Sequence, residues 1–287
     1  MLIDLQLHST YSDGYLTPSR LADFLSANGI KIAALTDHNT IGGLDEFKEA
    51  CQKKKIKTIN GVELYVKLGH KKFNLLWYNF DKNNPGLHNL LRDSQARRRR
   101  QIRNALIKLN QHGFKIDGGR LLDKFNHYIP LNHLIDEISK IPANKNLIIK
   151  QLKIANPSQD EILIKIFKNS AFAKISESYI NLKQILSLKK TIRGQLILNH
   201  PGKHNSLDRK FIAGLKAFGL DGLEIISPHH SIGAVMQLGR LAKENNLIMT
   251  GGSDFHRFEP APADLNSCYD YFRIDSNYLT DIKKIIG

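Results

Sequence analysis

The chain has only two cysteines in 287 residues, Cys51 and Cys268. They are far apart and form no C-x-x-C pair. A disulfide framework and a cysteine-built structural zinc site are therefore excluded, and two free thiols in a reducing compartment are expected. No apolar run approaches the roughly 20 residues that a membrane helix needs. No leader pattern opens the chain, because Asp4 and His8 interrupt the apolar start. A cytoplasmic location and no membrane partner are the expectation. Acidic side chains are also scarce: 27 Asp and Glu face 42 Lys and Arg, a net charge of +15.

That surplus is unevenly placed. Residues 79–189 carry 20 Lys and Arg against 9 Asp and Glu, a net +11, which leaves +4 for the rest. A basic segment suits a polyanionic substrate by attraction and steering. A solvated lysine-rich surface accounts for the same composition equally well. The run Arg97 to Arg100 could line a nucleotide channel. On one helix those four side chains span all faces, so at most two can point at one site.

The length allows one large or two modest domains with a substantial core. The first eighty residues alternate strand and helix. Leu2 to Leu7 reads as a strand. Thr17-Pro18 then starts a helix, with Thr as N-cap and Pro at the first helical position. Lys31 to Leu35 is a buried strand, a helix runs from about Gly43 to Lys54, and Thr58 to Leu64 and Phe73 to Trp77 are strands. Gly69-His70 fits a hairpin turn between the last two. This order predicts an α/β fold with mainly parallel strands. Residues 79–189 show few strand signals. Helices are expected at Leu87 to Gln111, Pro130 to Ile141 and Ser158 to Lys168, the last with a Ser158/Glu161 capping box. The α/β rhythm then returns with Leu196 to Leu198, Ser206 to Ala217, Leu223 to Ile226, Ile232 to Lys243 and Leu247 to Thr250. The expected division is residues 1–78 with 190–287 as a discontinuous α/β domain, and 79–189 as a helical insertion.

Ligand-type side chains recur where predicted strands end. They are His8, His38, Glu63, His200, Asp254 and His256, with Asp13 in the loop after the first strand. That edge is where α/β folds place chemistry. Asp254 and His256 follow an apolar run at i and i+2. In an extended segment they would leave one face and grip ions in one pocket. Imidazole mixed with carboxylate suits Mn, Fe or Zn better than Mg or Ca. Clustered ions of this kind activate water and neutralise phosphate oxygens.

The motifs Asp4-Leu-Gln-Leu-His8-Ser9, Ser12-Asp13-Gly14, Leu35-Thr-Asp37-His38-Asn39-Thr40, Gly61-Val-Glu63, Asn199-His200-Pro201-Gly202 and Gly252-Ser-Asp254-Phe-His256 resemble the PHP family, named for polymerase and histidinol phosphatase domains. The match is closest to its stand-alone nucleotide phosphoesterase branch and covers both ends of the chain. The resemblance implies a distorted seven-stranded β/α barrel, the PHP fold, with one to three divalent ions. Mn is favoured, with Fe or Zn as alternatives. It implies that His8, Glu63 and Asp254 hold a first ion. Glu63 bridges to a second bound by His200, and Asp13, His38 and His256 hold a third. It also implies a metal-dependent phosphoesterase or phosphatase, a hydrolase acting on phosphorylated nucleotides or short RNA ends. Attack comes from a metal-bound hydroxide, with no side-chain catalyst beyond it.

Four positions depart from the family pattern. Gln6 stands where the family's opening His-x-His has its first His, and Asn74 stands at a later His position. Leu131-Asn132-His133 replaces an Arg-x-His, and Lys203 replaces the Arg after His-Pro-Gly. Gln6 should weaken the first ion and Asn74 the second. Lys keeps charge but loses the planar fork that grips phosphate. Lys203, His133 and His230 are the expected substrate contacts, His230 because some relatives carry a His there. His229 beside it reads more simply as a loop residue. The alternative to an active enzyme is a catalytically impaired PHP-like protein that binds a metal or ligand.

Overall fold

The computed structural model describes every residue except Ser170, 205–207 and 259–272. Cys268 and the expected helix start at Ser206 fall outside the described residues. In chain order the elements are β1 (Leu2–Leu7), α1 (Pro18–Ala27), β2 (Ile32–Leu35), α2 (Leu44–Lys53), β3 (Lys57–Leu68) and β4 (Lys71–Tyr78). Then come α3 (Pro85–Gln111), α4 (Gly118–Leu122), α5 (Leu131–Ser139), α6 (Pro142–Leu152), α7 (Gln159–Ile162), β5 (Ile180–Asn181) and α8 (Leu182–Ile192). The chain ends with β6 (Gln195–Leu198), α9 (Arg209–Ala217), β7 (Gly222–Ile226), α10 (Ile232–Glu244), β8 (Ile248–Gly251), β9 (Ile274–Asp275) and α11 (Lys283–Ile286). Among the described residues no helix is long and apolar enough to cross a membrane.

Two compact units form: Met1–Asn89 with Tyr179–Gly287, and Leu90–Ser178. The second is narrower than the 79–189 segment, because the start of α3 and all of α8 belong to the first.

The first unit is built on one sheet with strand order β8-β7-β6-β4-β3-β2-β1-β9, and β5 pairs with β3. The resemblance implies seven strands. Among the described residues nine are present, and β5 and β9 are only two residues long. Strand pairing is parallel except around β4, which runs antiparallel to both β3 and β6, and at β9 against β1. The β3–β4 reversal is a tight hairpin at Gly69-His70, where Gly69 takes the left-handed conformation at φ +59°. Beyond the ends of β8 and β1 the sheet nearly closes: the His8 N–H donates to the Phe255 carbonyl at 3.0 Å, and Leu7 bridges Phe255.

Period-2 alternation decides what faces the barrel interior. In β1, Ile3, Leu5 and Leu7 form one buried face, while Asp4 and Gln6, equally buried, form the other, and His8 follows at the strand's end. The Tyr78 hydroxyl donates to the Leu5 carbonyl at 2.7 Å. Burial and the Glu224, Glu63 and Asp4 carboxylates push its phenol well above the usual range. Carboxylates from three strands therefore share the interior. Trp77 and Phe73 are core, as expected for apolar strand residues. Cys51 is buried in α2, and burial pushes its thiol up to about 12.

Local chemistry sets the helix starts. Thr17 caps α1 by accepting from the Arg20 N–H at 3.3 Å. Ser158 and Glu161 form the expected capping box, but α7 lasts only four residues before the chain widens into a π-type turn at Leu163–Phe167. Sequence reading overlooks α4, α6 and α8. In α6 the apolar residues follow no strong helical stripe, and only Asn144 and Ile148 are buried.

The second unit packs Ile102, Leu106, Leu109, Leu134, Ile138 and Phe167 into its own core. Arg98 is buried there. It donates to the Ile129 carbonyl at 3.1 Å and the Ser176 carbonyl at 2.7 Å, and pairs with Glu177 at 3.1 Å. Arg99 donates to the Leu122 and Phe125 carbonyls, both at 3.0 Å. Two of the four consecutive arginines are thus spent on this unit's own backbone.

Gly252, just past β8, packs against β1: a β-carbon there would lie 2.5 Å from both the Gln6 nitrogen and its β-carbon. Gly252→Ala should lower stability by about 1–3 kcal/mol through overpacking. Gly239→Ala, in open space within α10, should raise it by about 0.5–1 kcal/mol. Denaturant unfolding of both variants checks the pair.

Candidate metal centre

Every ligand-type side chain except Glu63 is delivered by a strand end or the loop just beyond it. His8 follows β1, Asp13 lies in the next loop, and His38 follows β2. Glu63 lies within β3, where His38 and Glu63 form an isolated parallel bridge. His200 follows β6, and Asp254 and His256 follow β8.

Two overlapping groups result. Ligand atoms of His8, Asp13, His38 and His256 lie within 4.8 Å of one another, as do those of His8, Glu63 and Asp254. Two ligands each about 2.1 Å from one ion sit about 3 Å apart. His8 Nε2 is 3.1 Å from both Glu63 Oε2 and Asp254 Oδ1. His38 Nε2 is 3.4 Å from Asp13 Oδ2, and His256 Nε2 is 3.3 Å from Asp13 Oδ1. His200 Nε2 is 3.3 Å from Glu63 Oε1. The donor set and its spacing therefore fit divalent ions. The rings pack face to face: His8 stacks on His256 at 4.2 Å, and Tyr65 on His38 at 4.4 Å.

Two further carboxylates fix the loops. Asp37 accepts from the Ser9 N–H at 2.7 Å and from the Ser9 and Ser12 hydroxyls, both at 2.6 Å. Asp4 accepts from the Ser253 N–H at 3.0 Å and its hydroxyl at 2.6 Å. They hold the Ser9–Asp13 loop and the Asp254 turn in place. Such outer partners orient ligands.

Burial opposes charge here, and pairing overrides it. Glu63 is buried and Asp254 and Asp13 are partly so, yet the surrounding imidazoles hold all three well below the usual carboxylate range. Burial disfavours the charged form of His8, but hydrogen bonds to Asp254 and Glu63 raise it well above the ordinary value. His256 is also raised, against its burial, mainly by Asp13. Glu224 has no such cation. Burial, followed by the Asp254 charge, pushes it well up, although it accepts the His200 N–H at 3.0 Å.

The structure corrects several expectations. Asp254 is not part of an extended segment: it takes a left-handed φ of +50°. Its carboxylate groups with His8 and Glu63, and His256 with His8, Asp13 and His38, while His256 Nδ1 lies 3.9 Å from Asp254 Oδ1. His230 is a brace. Its Nε2 accepts the Gly202 N–H at 3.1 Å and its Nδ1 donates to the Ile225 carbonyl at 2.8 Å, leaving neither nitrogen for substrate. His133 lies at the start of α5, in the second unit. His70 sits in the hairpin turn. His229, read as a plain loop residue, reaches the centre with Nε2 2.7 Å from Asp254 Oδ2, and Lys203 Nζ lies 3.3 Å from the same nitrogen. Only the adjacent His-His pair after a strand hinted at it. Gln6 and Asn74 do face the carboxylates. Gln6 Nε2 donates to Asp254 Oδ1 at 2.8 Å, and Asn74 Nδ2 to Glu63 Oε1 at 2.6 Å.

Comparison with known proteins agrees with this geometry. The model of the PHP domain matches residues 4–148. A 5'-3' exoribonuclease of Haemophilus influenzae is 30% identical over 260 residues, covering 88% of this chain and 89% of the relative. A 3',5'-nucleoside bisphosphate phosphatase of Chromobacterium violaceum is 26% identical over 88% of this chain and 87% of that protein. A solved structure from Bifidobacterium adolescentis, assigned as a metal-dependent phosphoesterase, shares the fold. It has a TM-score of 0.79 at 21% identity, covering 99% of this chain and 94% of that one.

His38→Ala should lose about one bound divalent ion, whereas His70→Ala should lose none; elemental analysis of the purified variants decides. Ligating imidazoles must give up their protons, and the carboxylates hold those protons on His8 and His256 beyond the usual pH. Metal affinity should therefore keep rising with pH above the ordinary imidazole range, with proton release on binding. Calorimetry in buffers of different ionisation enthalpy measures that release.

Proposed function

Because the chain belongs to the PHP domain family, we propose that it is a phosphoesterase whose divalent ions sit in the two overlapping ligand groups, and that its substrates are phosphorylated nucleotides or short RNA ends. One observation carries the reading above the others. His8 belongs to both groups, and Glu63 lies between His8 and His200, so neighbouring ions would share ligands. Shared ligands hold ions close enough to act on one phosphate.

When bound, the divalent ions supply Lewis-acid charge and an acidified water. The chain's own residues do the rest. His8, Glu63 and Asp254 make one ligand group; Asp13, His38 and His256 make the other; His200 adds a ligand on the far oxygen of Glu63. Asp4 and Asp37 keep the loops from rearranging. Lys203 is exposed beside His229 at the edge of the centre. It is placed to hold a substrate phosphate as a point charge rather than as a bidentate fork.

The nucleotide or RNA assignment rests on the activities named for the Haemophilus and Chromobacterium relatives and on the basic surplus of residues 79–189. Arg98 and Arg99 are excluded from that role by their backbone partners. Mn is the proposed resident ion.

Metal-stripped protein should release no phosphate from a 3',5'-bisphosphorylated nucleoside and no mononucleotide from a 5'-phosphorylated RNA oligomer. Added Mn should restore turnover of at least one. Protein that binds its ions fully yet turns over neither substrate in Mn, Mg, Fe or Zn would instead be the impaired binder that Gln6 and Asn74 suggest. Lys203→Ala should raise KM about tenfold, the scale of one charge-assisted hydrogen bond, and leave kcat nearly unchanged. RNA affinity should fall steeply with salt, because phosphate contacts release counterions. A flat salt response would remove the polyanion argument.

A further inference from the structure

Gln6 is fully buried on β1, two residues before His8. Its Nε2 lies 2.8 Å from Asp254 Oδ1 and 3.3 Å from Glu63 Oε2. His8 Nε2 lies 3.1 Å from the same two oxygens. Four polar atoms thus crowd around one point, at the spacing of ligands on a single ion. An amide nitrogen has no lone pair to give a metal, but the amide oxygen does. The two ends of the amide are nearly the same shape, and the terminal torsion that exchanges them is soft. Gln6 Oε1 is buried and has no hydrogen-bond partner. A half-turn of the amide would move that oxygen to the shared point and carry the NH2 group away from it.

Asn74 repeats the arrangement. Its Nδ2 is 2.6 Å from Glu63 Oε1, and His200 Nε2 is 3.3 Å from the same oxygen.

We propose that Gln6 and Asn74 are metal ligands through their amide oxygens, and that they bias these two positions toward hard ions, Mn or Mg, over Zn. The first position would then have three oxygens and one imidazole nitrogen, and the second two oxygens and one. Oxygen ligands favour Mg and Mn, and imidazole favours Zn and Fe. The Asp13, His38 and His256 group keeps two imidazoles of its own and stays hospitable to Zn. Without ions the same amides serve as hydrogen-bond donors to the buried carboxylates, so one side chain neutralises the centre when empty and ligates it when full.

This rests on the metal-dependent reading, so the test reads ion content rather than turnover. Metal-stripped protein is equilibrated with equal, limiting Mn and Zn, desalted and analysed by mass spectrometry. Gln6→His/Asn74→His should shift the bound Mn:Zn ratio toward Zn by about tenfold or more, the scale on which changes around a ligand sphere act. Gln6→Glu, which keeps an oxygen at the same place, should leave the preference for Mn. In the parent protein, Mg should displace the Gln6 side-chain NH2 signal in a nitrogen–proton NMR spectrum. Gln6→Leu identifies that signal by its absence. An unchanged Mn:Zn ratio in the double His variant, or a Gln6 NH2 signal that ignores Mg, would overturn the proposal. A shifted ratio in protein that turns over no phosphate ester would sink the phosphoesterase reading and leave this one standing.

Discussion

Glu63 is a carboxylate with no access to water, and the rest of the site is organised around it. A buried charge of this kind is tolerated only with partners that neutralise it. Here five partners come from four places along the chain. His8 and His200 approach opposite oxygens, Gln6 and Asn74 donate amide hydrogens, and His38 lies 3.8 Å away. No local segment could supply them. The carboxylate is stable only when the barrel has assembled, and the barrel's polar interior makes sense only with such a centre in it.

The same constraint explains the details at the strand ends. His200 and Asp254 both take left-handed backbone conformations, φ +25° and +50°. Non-glycine residues there are strained, and strain of this kind persists where surrounding contacts over-determine it. The surrounding contacts are visible: Glu224 holds the His200 N–H, and Asp4 holds Ser253 beside Asp254. Asn39, at φ +49°, ties the loop after His38 to β3 through its N–H to the Glu63 carbonyl at 2.8 Å. Chemistry and backbone strain lie at the same edge of the sheet because that edge has no ladder left to follow.

Much of this is legible in the sequence. Ligand-type residues at the ends of predicted strands announce the edge that carries the site, and Thr17-Pro18 announces a helix start. Residues whose partners are distant in sequence are not legible. The hairpin that reverses β4 is legible at Gly69-His70, but the antiparallel pairing of β4 with β6, over a hundred residues on, is not. The left-handed φ at Asp254, in place of an extended segment, is held by contacts distant in sequence. His229 became a site residue because β7 ends beside β8, which no local pattern records. Gln6 and Asn74 read as lost ligands, yet both still touch the carboxylates that lost imidazoles would have touched. A substitution in one position cannot show whether its neighbours moved away.

The central claim is that the two oxygens of Glu63 serve different ion positions. Glu63→Gln preserves the shape of the side chain and removes its charge, so ion content in this variant is the most direct measurement. The account predicts that equilibrium dialysis against Mn will show Glu63→Gln losing more than one ion per chain, while unfolding remains cooperative. A variant that retains the parent's full complement of ions would contradict it, and the ligand groups would then need another organising residue.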